Sequence, residues 1–157
     1  MLLGANTYNG GTTIGSAGTL LVTNDTGLGN ASGAITFSAS GALAATNNAA
    51  SVTNAVTVGA SRTITANFQT PDTNSLSIAP KITGPGNVPK KSSGFALGTV
   101  RFSNDTSDYI GDLLLGFGKT EFTSITGQGV ASSVGAGAVG TGGQITLGNA
   151  SSSGTLR

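Results

Sequence analysis

The feature that most constrains this chain is an alternation of period two that restarts again and again. It runs through Thr12-Thr13-Ile14, Thr19-Leu20-Leu21-Val22, Ala34-Ile35-Thr36-Phe37, Ala55-Val56-Thr57-Val58 and Arg62-Thr63-Ile64-Thr65, and continues in Leu76-Ser77-Ile78, Thr99-Val100-Arg101-Phe102, Thr120-Glu121-Phe122-Thr123 and Gln144-Ile145-Thr146-Leu147. Successive side chains of a strand point to opposite faces, so each run reads as a short strand with one apolar and one hydroxyl-rich face. The runs are separated by clusters of glycine, asparagine and serine, residues that accept positive φ or bond their own turn backbone. Glycine, 26 times in 157 residues, recurs too often for helices to propagate. The chain is therefore expected to be all-β: strand, turn, strand.

Short strands of this kind can build a sandwich, a barrel, a propeller or a solenoid, and internal repetition separates the last from the rest. Here Asn6-Thr7-Tyr8-Asn9-Gly10-Gly11-Thr12-Thr13-Ile14, followed by Gly18-Thr19-Leu20, is echoed by Asp108-Tyr109-Ile110-Gly111-Asp112-Leu113-Leu114-Leu115 and Gly118-Lys119-Thr120-Glu121-Phe122, with Tyr8 and Tyr109 at matching places. The echo predicts one solenoid segment over 1–157, made of two super-repeats (about 1–98 and 99–157, the second incomplete), each holding coils of roughly 20–30 residues. Stacked parallel strands leave a slim core, filled on this reading by Ile14, Leu20, Val22, Ile35, Phe37, Val56, Val58, Ile64, Phe68, Leu76, Ile78, Val100, Phe102, Leu113, Leu115, Phe122, Ile145 and Leu147. About seven coils would give a rod on the order of 35 Å long. Residues 83–93, with Pro85 and Pro89 and no alternation, are expected to protrude as a loop.

The chain contains no histidine and no cysteine. That excludes Ser-His-Asp and Cys-His nucleophiles, zinc sites built on His or Cys, and disulfides. A formal net charge of +1, with basic residues scattered at Arg62, Lys81, Lys90, Lys91, Arg101, Lys119 and Arg157, is too dilute for a phosphate-backbone stripe, so no nucleic-acid partner is expected. Apolar runs such as Leu113-Leu114-Leu115 fall far short of the roughly 20 residues that cross a bilayer, so this segment is not expected to insert in a membrane. No secretory signal is visible at the start of the chain, and phosphate-binding and dinucleotide fingerprints are missing, so no cofactor is expected.

What chemistry remains rests on carboxylates and aromatics. The acidic residues are Asp25, Asp72, Asp105, Asp108, Asp112 and Glu121, four of them within residues 105–121. Converging, they could act as an acid/base pair on a glycosidic bond or hold calcium beside a polysaccharide; dispersed, they are turn residues and solvated charges. Tyr8 and Tyr109 are candidate sugar-stacking rings, or rings that pack on the turn of the adjacent coil with the hydroxyl in solvent. The turn reading is preferred for both sets, and the chain is not expected to be an enzyme.

The stretch Gly4-Ala5-Asn6-Thr7-Tyr8-Asn9-Gly10-Gly11-Thr12-Thr13-Ile14, with Gly18-Thr19-Leu20-Leu21-Val22 and Leu28-Gly29-Asn30-Ala31-Ser32-Gly33-Ala34-Ile35, closely resembles the autotransporter-associated β-strand repeat. Ile82-Thr83-Gly84-Pro85-Gly86 resembles the lead-in to a further copy. The resemblance implies a right-handed, single-stranded parallel β-helix from the passenger region of an exported bacterial surface protein, and it brings no catalytic residues. It points to a structural or adhesive segment, extracellular or on the cell surface. Such a segment would self-associate through its solenoid ends and present a surface for a glycan or protein ligand. A polysaccharide-processing solenoid or sugar-binding module using the 105–121 carboxylates is the alternative.

Overall fold

In the computed structural model the short strands stack in parallel, each winding of the chain laying one strand on the last. The structure describes residues 1–15, 17–23, 26–46, 50–59, 66–70, 74–90, 98–116, 118–126, 129–136, 145–147 and 155–156. Arg62, Lys91, Arg157, Asp25, Asp72 and Ile64 lie outside them, as do the side chains of Lys90, Ile145 and Leu147. In chain order the strands are β1 (Thr12–Ile14), β2 (Thr19–Val22), β3 (Ile35–Phe37), β4 (Gly41–Ala45), β5 (Ala50–Val52), β6 (Val56–Val58), β7 (Ala66–Gln69) and β8 (Ser75–Ile78). They continue with β9 (Ile82–Thr83), β10 (Val88–Lys90), β11 (Thr99–Phe102), β12 (Leu113–Leu115), β13 (Lys119–Phe122), β14 (Ile145–Leu147) and β15 (Thr155–Leu156). There is no helix among the described residues.

The strands fall into three rows visited in rotation. Row one is β1-β3-β6-β9, row two is β2-β4-β7, and row three is β5-β8-β11-β13-β15; a further row, β10-β12-β14, lies beyond β7. Every strand pair is parallel, as a solenoid demands and a meander or sandwich of hairpins forbids. Row three climbs through four steps, so the β-solenoid makes about four turns, on the order of 20 Å of rise. The expected seven coils are corrected for a simple reason: coil length is not uniform. Thr99 pairs with Lys119, 20 residues on, but Lys119 pairs with Thr155, 36 residues on, so the last step of row three consumes more chain than those before it.

The core reads closely from the alternation. Ile14, Val22, Ile35, Phe37, Val56, Val58, Phe68, Leu76, Ile78, Val100, Phe102, Leu113 and Leu115 are buried, and Leu20 and Phe122 pack on them half-buried. Four phenylalanines, one each from β3, β7, β11 and β13, climb the interior in contact: ring centroids lie 5.9 Å apart for Phe37–Phe68, 5.7 Å for Phe68–Phe102 and 5.6 Å for Phe102–Phe122. The first two contacts are edge-on and the last is stacked, both favoured geometries that add to burial. Leu28, Leu43, Val52, Ile82 and Val88 complete the core without having shown a long alternating run. On the outer face of row one, Thr13, Thr36, Thr57 and Thr83 stand in register as a hydroxyl column.

Residues 83–93 are not a protruding loop over their described part. Thr83 ends β9, and Val88–Lys90 is a strand paired with Leu113–Leu115. Buried Ile82 and Val88 anchor the segment at both ends, and Gly84–Gly86 bends between them. Pro89 explains why it does not read as a strand. The Ala66 N–H donates to the Asn87 carbonyl at 2.9 Å, and the alternation of a parallel ladder then calls on the N–H of residue 89 to reach back toward β7. Proline has none. Row two is therefore interrupted at Pro89 although strands continue above it.

Candidate functional site

In a coil of some 20–30 residues, near neighbours in sequence are carried round the circumference, and the residues that meet are those one coil apart. This decides the fate of the 105–121 carboxylates. Asp105 sits in the turn after β11, where Asn104 Oδ1 accepts from the N–H and the hydroxyl of Thr106. Its Oδ1 accepts hydrogen bonds from the hydroxyls of Thr123 (2.5 Å) and Ser124 (2.7 Å), on the next coil. Ser124 is itself held by Ser133, whose Oγ accepts from the Ser124 N–H at 3.0 Å and donates to the Ser124 carbonyl at 2.7 Å. Asp108 lies beyond β9 in row one and pairs with Lys81, Nζ to Oδ2 2.5 Å. Asp112 leads into β12, its N–H donating to Asn87 Oδ1 at 2.7 Å. Glu121 stands on the outer face of row three, ion-paired with Lys119 and in register with Arg101.

The electrostatics follow from those partners. Hydrogen bonds from Thr123 and Ser124 hold the Asp105 carboxyl below its ordinary value. At Asp108 burial pushes upward, but the hydrogen bonds and charge of Lys81, with the Thr83 hydroxyl, outweigh it and the net shift is downward. Both groups are held toward permanent charge. A general acid needs the opposite, a carboxyl raised toward the working pH by an apolar pocket or a like-charged neighbour. Among the described residues no three acidic groups gather closely enough to hold a metal ion. The structure thus gives Asp105, Asp108 and Glu121 separate side-chain partners.

The tyrosines share one geometry and differ in exposure. Tyr8 is 37% exposed, and its hydroxyl is 2.6 Å from Thr12 Oγ1. The Asn30 N–H donates to its carbonyl, and Gly29, with φ of +75°, sits over its ring. Tyr109 has the same neighbours one super-repeat later: the Ala136 N–H donates to its carbonyl, and Gly135, with φ of +81°, sits over its ring. Both rings pack on the following coil. Tyr109, however, is 1% exposed and its hydroxyl has no hydrogen-bond partner, so the expectation of a surface ring with its hydroxyl in solvent is corrected. The cause is local. Hydrogen bonds from Asp108 N to Ile82 O and from Ile110 N to Gly84 O place Tyr109 beside Gly84 in the column of buried Val58, an inward-facing position of row one.

Sequence reading also missed a set of asparagines that tie coil to coil. Asn54, 1% exposed, donates from Nδ2 to the carbonyls of Asn30 and Gly33, each at 2.8 Å, on the coil before it. Asn6 reaches Gly27 O, Asn74 reaches Thr46 O and Asn104 reaches Ala79 O in the same manner. Their signal was present as asparagine at turn positions, but only the stacking shows which carbonyls they meet. No protein-family model matches the chain, and no curated protein and no solved structure is significantly similar to it.

Proposed function

We propose that this chain is a structural and adhesive β-solenoid segment of a secreted or surface-displayed bacterial protein, of the autotransporter passenger type, and that copies associate end to end into fibres. The observation that carries this reading is the register of polar columns on the outside of an apolar core. Thr13, Thr36, Thr57 and Thr83 align on row one, and Ser51, Ser77, Arg101 and Glu121 on row three. A column of this kind is stiff along its axis and soluble with little charge, the properties of a spacer rod. A surface glycan or protein would dock on its side.

End-to-end association rests on the strand edges. Among the described residues β1 pairs with β3 alone in row one, and a strand edge of this kind offers main-chain donors and acceptors to a further parallel strand. Stacking of this type is head-to-tail and does not close, which gives fibres rather than rings. Light scattering across a concentration series tests it: mass should grow with concentration, and a monomer at every concentration overturns the fibre reading. Fractionation of the source bacterium with an antibody tests the location, and antigen confined to the cytoplasm overturns it. The polysaccharide-processing alternative gains no support from carboxylates committed to separate partners, two of which, Asp105 and Asp108, have lowered pKa values.

A further inference from the structure

The chain has a single Asn-Gly dipeptide, Asn9-Gly10, and it lies in the exposed segment between Tyr8 and β1. The other described asparagine side chains are occupied. Asn6, Asn54, Asn74 and Asn104 donate to carbonyls of neighbouring coils, Asn87 accepts from Asp112, and Asn30 accepts from Ser32 in its own turn. Among the described residues, the Asn9 side chain and the Gly10 N–H make no hydrogen bond. A Cβ at Gly10 would meet nothing within 4 Å, so no neighbouring atom crowds that side of the residue. We infer that Asn9 is a site of spontaneous deamidation, converting with time to a mixture of aspartate and isoaspartate.

The chemistry needs only what the site and solvent supply. The Gly10 nitrogen gives up its proton and bonds to Asn9 Cγ; the Cγ–Nδ2 bond breaks, ammonia leaves, and a cyclic imide remains. Water then opens the imide at either carbonyl. Glycine at the following position matters because it has no Cβ to obstruct the approach and the widest choice of φ and ψ. At an asparagine whose amide is anchored to another coil, the same attack must first break that anchor. The change adds one negative charge and takes the formal net charge from +1 to zero. In the isoaspartate form the main chain also lengthens by one methylene, directly after the carbonyl of Tyr8 that accepts from Asn30.

The test is ageing of the purified chain at physiological temperature, in mildly acidic and mildly alkaline buffer, followed by peptide mass spectrometry with fragmentation that separates aspartate from isoaspartate. The expected result is a gain of about 1 Da located at Asn9, faster in the alkaline sample because the attacking nitrogen must lose its proton. Gly10→Ala, for which the fold has room, should slow the gain roughly tenfold or more. Circular dichroism of that variant checks that it is folded. No gain at Asn9, a comparable gain at another described asparagine, or a folded Gly10→Ala chain that converts as fast as the parent overturns the inference.

Discussion

The ring of Tyr109 lies against Gly135 of the following coil: a Cβ built on that glycine would stand 2.7 Å from Cε1 of the ring and 2.7 Å from the Tyr109 carbonyl oxygen. Two constraints coincide there, a left-handed backbone at φ +81° and an aromatic face with no spare room. Tyr8 and Gly29 repeat the arrangement in the first coils.

Gly135→Ala should therefore cost about 2–4 kcal/mol, the sum of left-handed strain and overpacking. Urea denaturation measures it, with Gly4→Ala as the control, since a Cβ at Gly4 meets nothing within 4 Å. Equal stability of the two variants would show that the glycine–tyrosine contact is not a constraint.

Tyr109→Phe should stabilise the fold. The phenol hydroxyl is enclosed without a hydrogen-bond partner, and burial drives its pKa far above the ordinary phenol value, so the group contributes desolvation cost and nothing in return. Removing it should gain about 1–2 kcal/mol, read as a rise in the urea midpoint. A loss of stability would mean that the hydroxyl has a partner in solution.

Pro89→Ala should rejoin row two. The restored N–H can complete the ladder toward β7, contributing about 0.5–1.5 kcal/mol, while the more flexible unfolded chain takes back about 0.4–1. Net stability should move by less than about 1 kcal/mol, so the informative readout is hydrogen exchange. The new amide at position 89 should be protected; rapid exchange there would place the interruption elsewhere than at the proline.

Acid should weaken the fold through Asp105 and Asp108. Both carboxyls lie below the ordinary 3.8 in the folded protein, so their contribution is fully present above that value and is lost as pH falls through the lower folded midpoints. Asp105→Asn keeps an oxygen for Thr123 and Ser124 and should flatten part of the loss below pH 3.8. High salt should diminish the Asp108 part, to which the hydrogen bond and charge of Lys81 contribute beside the Thr83 hydroxyl, more than the Asp105 part, which rests on hydroxyls. Carboxyl titration by NMR reads both, and midpoints at or above 3.8 would contradict the lowered values.

Period two, β-branched side chains and glycine punctuation are local properties, and they determined by themselves that the chain is all-β and that residues such as Ile35, Phe37, Val100 and Phe102 face inward. The echo between Tyr8 and Tyr109 likewise marked two places with the same contact to a left-handed glycine. Strand Val88–Lys90 was hidden because proline removes the local signature while buried Val88 and pairing with Leu113–Leu115 hold it in the row. The tertiary structure alone decided that Asp105 meets Thr123, Asp108 meets Lys81 and Glu121 meets Lys119, and that Tyr109 is enclosed while Tyr8 is open. The reason is geometric: winding separates residues a few places apart and brings together those about one coil apart. A linear pattern fixes which way a side chain faces, but which partner it finds depends on coil length.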